Sequence, residues 1–286
     1  MKISHACVAC HSTRLRSRPA VLMPFLAARI FGWQPTTITP EWGLRDIDAG
    51  QAYSLCATLM CDECGMIFLD MRFDADEMDA LYRDYRGAQY TELRNRFEPG
   101  YAALNAMLRE GGDYTAQVEA FIRPHLTCDR PRVLDWGGDT GANTPFRAEA
   151  VRYDVYDISQ RTLVEGATAV AEDEIRPGAY DLVVLANVLE HVSHPTATLR
   201  LVTSAMDQDT LLYIELPYED LIRHHHSDDE RLALKRHWHE HINFFTPDSL
   251  DHLLRNTGLQ TVSRTTKAVT VAGRERHVFL IAARLA

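Results

Sequence analysis

The chain lacks what most readily marks a membrane, secreted or nucleic-acid-bound protein. The most hydrophobic early stretch, Ala20 to Trp33, is interrupted by Pro24 and Arg29 and falls short of the roughly 20 residues a spanning helix needs. No secretory leader is expected, because Lys2 runs into ISHACVACHSTRLR without an apolar core. Basic charge is also short. Thirty Lys and Arg against 40 Asp and Glu leave a net charge of -10, which argues against a phosphate-backbone partner. The one short basic patch, RLRSRP from Arg14 to Pro19, reads as a solvated face, with an anionic acceptor as the alternative. These absences predict a soluble cytoplasmic protein with no nucleic-acid partner and no stable membrane insertion. At 286 residues and 46% hydrophobic content, the chain can bury a full core and has room for more than one unit.

Cysteine is scarce, six in all, and in a reducing compartment six cysteines point away from disulfides. Four of them form two pairs, Cys7-x-x-Cys10 and Cys61-x-x-Cys64, the second followed by Gly65. Each pair can put two thiolates on one ion from a single knuckle, so the leading reading is a four-cysteine structural zinc site. A redox dithiol explains only one pair at a time. Cys56 and Cys128 are left over as buried thiols.

The stretch PRVLDWGGDTGANTPFRAEAVRYDVYDIS reads as strand, glycine turn, helix, strand. Val133-Leu134 ends at Asp135 and breaks into Gly137, Gly138 and Gly141, where backbone must take positive φ or come close to a ligand. The second strand ends in Asp157, an acid able to accept hydrogen bonds from a ribose diol. The spacing does not supply the G-x-G-x-x-G of dinucleotide folds. VLDWGGDTG instead resembles motif I of the class I S-adenosylmethionine (SAM) dependent methyltransferases, with Asp139 where that pattern has its middle glycine. The resemblance runs over most of residues 128–286. AYDLVVLANVLEHVSHP, with Asp181, Asn187, Glu190 and His191, is similar to the fourth strand and following helix of that family, and LLYIELP to the fifth strand. HEHINFFTPDSLDHLLRNTGLQTV resembles a stretch of sugar methyltransferases. The paired cysteines resemble the zinc-binding segment fused to certain bacterial members, where CxxC and CxxCG bracket a small β unit.

The resemblance implies an α/β fold, a Rossmann-like class I sheet of seven strands, preceded by a small zinc-binding β unit and a helical bridge. The expected divisions are 1–73 for the zinc unit, 74–127 for the bridge and cleft lid, and 128–286 for the SAM-binding domain. Residues 20–55, with Pro24, Gly32, Pro35, Pro40, Gly43 and Gly50, read as an irregular insertion. DADEMDALYRDY opens a helical stretch interrupted at Pro99-Gly100 and Gly111-Gly112.

For the cofactor, the resemblance implies Asp135, Gly137, Gly138 and Gly141 at the methionine end, Asp157 on the ribose and Ile158 beside the adenine. Glu172 and Asp173 stand either at the adenine amine or in a solvated loop. Asn187 lies where ligands bind beyond the strand ends. Tyr82 and Tyr85 read as helix-face core residues, while the resemblance assigns Tyr85 and Tyr90 to the cleft.

Histidines crowd RHHHSDDERLALKRHWHEHINFF, with His224, His225, His226, His237, His239 and His241. The triple histidine reads as a loop ahead of a metal site. Transfer to a hydroxyl needs a base, and a neutral histidine oriented by a carboxylate suits that role. The expected base is His241 with Glu240 as partner, followed by His191 and then His239. RHVFLIAARLA reads as the last strand, after which the resembled C-methyltransferases continue into a further domain. The expectation is therefore SAM-dependent O-methylation of a saccharide or sugar-nucleotide acceptor. C- or N-methylation of a nucleotide-linked deoxysugar is the first alternative. A non-catalytic adaptor for a glycosyltransferase partner is the second.

Overall fold

The computed structural model describes residues 1–39, 50–109, 114–159, 161–225, 227–271 and 273–286. Pro40, Gly43, Gly111, Gly112 and His226 lie outside the described residues. Among those described, no helix is long and apolar enough to cross a membrane.

A seven-stranded sheet organises the C-terminal half. Its order across is Thr168–Ala169, Arg152–Tyr156, Arg132–Trp136, Leu182–Ala186, Leu211–Pro217, Arg274–Leu285 and Leu259–Val271. The first five strands are parallel, and Arg274–Leu285 runs antiparallel between its two neighbours. Strand order reverses beside Arg132–Trp136, and in open α/β sheets the ligand crevice lies at such a reversal, beyond the carboxyl ends of that strand and Leu182–Ala186.

Side chains alternate between the two faces of this sheet. Leu134, Trp136, Val183, Leu185, Leu212, Ile214, Phe279 and Ile281 join one core, and Val133, Leu182, Val184, Leu211, Tyr213, Leu280 and Ala282 join the other. Being buried on both faces, the parallel strands read as near-continuous apolar runs. Helices Pro195–Ser204 and Pro247–Asn256 cover the first face through Leu199, Val202, Leu250 and Leu253, and helix Tyr114–Ile122 covers the second through Val118 and Ile122.

The helix expected after the glycine turn is not there. Residues 137–150 form turns. Pro145 bars Thr144 from helical geometry, and buried Phe146 sits at φ 61°, outside any right-handed helix. Its carbonyl accepts the amides of both Glu149 and Ala150 at 2.9 Å.

The second sheet has five strands in the order His237–Trp238, Leu15–Leu22, Leu55–Cys61, Ile67–Leu69 and Asn243–Phe244. Both of its edges come from residues 237–244, so the N-terminal unit is completed by the late chain and does not close at residue 73. Part of the expected irregular insertion is regular: helix Pro24–Phe31 and short strands Thr36–Ile38 and Gly50–Ala52. The bridge contains helices Ala75–Tyr82, Ala88–Phe97, Tyr101–Arg109 and Tyr114–Ile122. Asp74 and Glu77 cap the first of these reciprocally.

The cysteine knuckles pack into the core under the large sheet, where Cys7, Val8, Ala9, Cys61 and Cys64 are buried with its strands. Their carbonyls are held by side chains of the C-terminal half. Thr196 Oγ1 donates to Val8 at 2.9 Å, Thr246 Oγ1 to Cys64 at 2.6 Å, and Asn256 Nδ2 to Ala9 at 3.0 Å.

Candidate functional site

The loop after Arg132–Trp136 turns at once. Gly137 has φ 83°, and a Cβ there would lie 2.5 Å from Val188 Cγ2, so the position needs glycine. Asp139, in the place of the family's middle glycine, sits at φ 52°. Aspartate is among the few residues that tolerate this left-handed region, which explains the departure in sequence. Its carboxylate pairs with Arg161 at 3.4 Å. Asp135 is buried and accepts the Thr144 hydroxyl. Burial pushes its carboxyl up to about 7, with the Asp157 charge adding to the rise and the Thr144 bond opposing it. Gly138 and Gly141 complete the loop around Asp135 and Tyr153.

Asp157 ends the next strand and accepts the amides of Asp139 at 2.8 Å and Ser159 at 2.7 Å, one on each oxygen. Each oxygen keeps a lone pair for a ligand hydroxyl. Ile158 beside it is exposed. Glu172 accepts the Tyr156 hydroxyl at 3.2 Å, while Asp173 is exposed in the same short turn. Asn187, at φ 54° just past Leu182–Ala186, donates from Nδ2 to Glu215 Oε1 at 2.9 Å. The other oxygen of Glu215 accepts the Tyr114 and Tyr213 hydroxyls, each at 2.6 Å.

Glu190, His191 and His241 converge beyond the same strand ends. One ligand-capable atom from each lies within 4.8 Å of the others. Residues 188–193 form turns tied to the late segment, since the Glu190 carbonyl accepts the amides of Ile242 and Asn243, and Asn243 Nδ2 donates to the carbonyls of Leu189 and Val192. His191 Nδ1 is 3.0 Å from the Glu240 carbonyl and 2.9 Å from the Tyr82 hydroxyl. Burial, followed by the His241 charge, lowers its pKa to about 3. The His241 ring meets that of His191 edge to face, with centroids 4.8 Å apart.

The carboxylate that orients His241 is Glu219, 2.7 Å from Nδ1, and not Glu240. Adjacent residues of an extended segment point to opposite faces, which turns Glu240 away. Burial opposes protonation of His241, but the Glu219 bond and the charges of Glu190, Glu219 and Glu240 outweigh it and raise the pKa. Glu240 instead accepts hydrogen bonds from Tyr90 and from Arg94 Nη1 at 2.6 Å, inside the small unit. Tyr90 is correspondingly fully buried, and its ring belongs to the core rather than to an open cleft. Tyr85 is half-buried, with its ring 5.2 Å from that of Tyr90.

Among the described residues, the remaining histidines do not assemble into a cluster. His239 bonds Glu98 and stacks on Phe25, and His225 pairs with Glu230 at 2.9 Å. The basic patch is neutralised at Arg16 by Asp62, Asp228 and Asp229. The four paired cysteines do come together: Cys7 and Cys64 sulfurs are 3.6 Å apart, and those of Cys10 and Cys61 3.5 Å.

A model described as a methyltransferase domain matches residues 82–264, more than half of the chain. The chain belongs to the methyltransferase-domain family. The matched span contains both candidate clusters of the crevice and leaves the cysteine pairs outside. Among solved structures, the fold is similar to the 1,6-didemethyltoxoflavin-N1-methyltransferase of Burkholderia thailandensis, bound to 1,6-didemethyltoxoflavin and S-adenosylhomocysteine. That likeness has 17% identity and a TM-score of 0.50, covering 79% of this chain and 96% of that one. A SAM-dependent methyltransferase from Methanosarcina mazei has 14% identity and a TM-score of 0.44, covering 58% and 96%. The glycopeptide N-methyltransferase MtfA, complexed with sinefungin, has 12% identity and a TM-score of 0.43, covering 61% and 95%. No curated protein sequence matches the chain significantly.

Sequence reasoning missed Glu219, Glu215 and Tyr114 as parts of this site, and Arg94 as the partner that holds Glu240 in the small unit. The signal for the two acids was their place at and just past the carboxyl end of Leu211–Pro217. Nothing local marks Arg94, whose partner Glu240 is 146 residues away.

Proposed function

We propose that the chain transfers a methyl group from SAM to a hydroxyl of a saccharide or sugar-nucleotide acceptor. The observation that carries this reading is a proton-accepting pair, His241 with Glu219, beside a loop and acid suited to SAM, all within the span that matches a methyltransferase domain. Bound SAM would supply an electrophilic methyl on its sulfonium sulfur. The free lone pairs of Asp157 would accept the ribose hydroxyls, and the turn at Gly137 leaves its backbone open to close approach. A hydroxyl must lose its proton as it attacks, and His241 is the half-exposed base within reach of the crevice. Positioning of the two reacting atoms accounts for most of the acceleration.

The four thiolates hold a structural zinc ion in this reading. Tetrahedral coordination with bonds of about 2.3 Å separates the sulfurs by about 3.8 Å, close to the pairs described above. A site closed by four protein ligands has no position for substrate.

Calorimetric titration with SAM tests the cofactor, with Asp157→Ala expected to abolish binding. Labelled-methyl transfer into sugar acceptors, followed by nuclear magnetic resonance of the product, tests the acceptor. Methyl on carbon or nitrogen would overturn the O-transfer assignment.

A further inference from the structure

We infer that Glu190, His191 and His241 form a site for one divalent cation of borderline softness, at the acceptor end of the crevice. The decisive feature is Glu190. Its side chain is 2% exposed, yet neither carboxylate oxygen has a hydrogen-bond partner. A buried carboxylate left without donors is costly, and such groups generally serve an ion or a ligand. Imidazole nitrogens lie close by, with His191 Nε2 3.8 Å from Glu190 Oε1.

Both rings are already set in the manner of metal-bound histidines. A carbonyl oxygen can only accept, so the Glu240 carbonyl fixes the hydrogen of His191 on Nδ1 and leaves the Nε2 lone pair toward Glu190. Glu219 does the same for His241 through Nδ1. Metal-ligating histidines characteristically donate their second N–H to a carbonyl or carboxylate, which fixes tautomer and ring orientation. Two imidazoles and one carboxylate suit Mn2+, Zn2+ or a similar ion, and three protein ligands leave positions for an acceptor's oxygens. The His241 side chain, 41% exposed, has room to draw the ligand atoms in from their present span.

This inference rests on the methyltransferase reading only for what the cation does. With an ion in place the His241 lone pair would be committed, and the cation would replace His241 as the means of activating the acceptor, by lowering the pKa of a hydroxyl bound to it. That hydroxyl would give its proton to solvent water. Its oxygen forms the bond to the methyl carbon while the carbon–sulfur bond breaks, the pair staying on the sulfur of S-adenosylhomocysteine.

The test is titration with Mn2+ of the full chain loaded with a single equivalent of zinc, which the four thiolates take first, followed by loss of the free-ion electron paramagnetic resonance signal, without SAM or acceptor. Mn2+ disfavours thiolates, so the cysteine site stays silent. One bound Mn2+ per chain is expected, abolished by His241→Ala and Glu190→Gln. Glu219→Gln should weaken it about 10- to 100-fold through the orienting bond. Circular dichroism verifies that each variant is folded, and the half-exposed His241 gives a variant that spares the core should Glu190→Gln unfold. Failure to bind Mn2+ by folded wild type, or binding unchanged in His241→Ala, would overturn the site. Wild type that binds SAM but no Mn2+ sinks the cation alone, and wild type that binds Mn2+ but no SAM sinks the methyltransferase reading alone.

Discussion

Replacing Arg94 with methionine should cost the protein about 3 kcal/mol of stability, the lower end of what breaking one partner out of a buried ion pair costs. The Arg94 and Glu240 side chains are 13% and 8% exposed and 2.6 Å apart. Arg94 also donates to Glu98 at 2.9 Å, and its guanidinium lies 4.0 Å from the Tyr101 ring centroid. Methionine keeps much of the packing but leaves the Glu240 carboxylate with Tyr90 and His239 as its remaining polar partners. Glu240→Gln should cost a similar amount, because it leaves Arg94 with only the more exposed Glu98 as an ionic partner. The double variant should lose about as much as either single, because most of each loss is an uncompensated buried charge, giving a coupling of about 3 kcal/mol. Urea unfolding of all four proteins, with equal m values as the check on two-state behaviour, measures the cycle. Additive losses near 6 kcal/mol, or single losses below about 1 kcal/mol, would refute the assignment of Glu240 to the fold rather than to the base.

Three further outcomes are expected. Stripping metal from the cysteines should shift one calorimetric transition of the whole chain downward, since Thr196, Thr246 and Asn256 tie the knuckles to the large-sheet half; a separate N-terminal transition would contradict this. Gly137→Ala should lower the melting temperature and weaken SAM binding, the left-handed φ alone costing about 1–2 kcal/mol. Adding Val188→Ala should restore part of the loss by removing the methyl in the way, and no restoration would count against the close contact. Asp135 holds its proton in the fold up to about 7, against 3.8 unfolded, so wild type should lose stability as pH rises across that interval and level off above it. Asp135→Asn lacks this dependence, and a melting-temperature difference between the two that stays flat from pH 4 to 7 would disprove it.

The central strands were legible because a parallel strand buried on both faces is apolar over most of its length, as RVLDW, LVVLA and LLYIELP are apart from Arg132, Asp135 and Glu215. The loop acids were legible because their positions are fixed by the strand ends. Cysteine spacing marked each knuckle, but nothing local tells that both knuckles pack beneath the large sheet. The absent helix illustrates the opposite failure. GANTPFRAEA carries enough Ala, Arg and Glu to suggest a helix, and the left-handed Phe146 that ends the possibility is set by tertiary burial. Likewise, the basic patch looked free because the acids that neutralise Arg16 at 228 and 229 are more than 200 residues away.

Residues 237–245 explain why the site resisted local reading, since one extended segment serves three environments. Trp238, Ile242 and Phe244 point into the core of the small unit, with the Glu240 carboxylate between them on the same side. His241 faces the crevice, and Phe245 enters the core beneath the large sheet. Adjacent Glu240 and His241 therefore cannot be partners, although they look like a catalytic pair. The Glu240 carbonyl nonetheless orients His191, and the Glu190 carbonyl holds the amides of Ile242 and Asn243. The crevice cluster is thus hung from the edge strands of the small sheet.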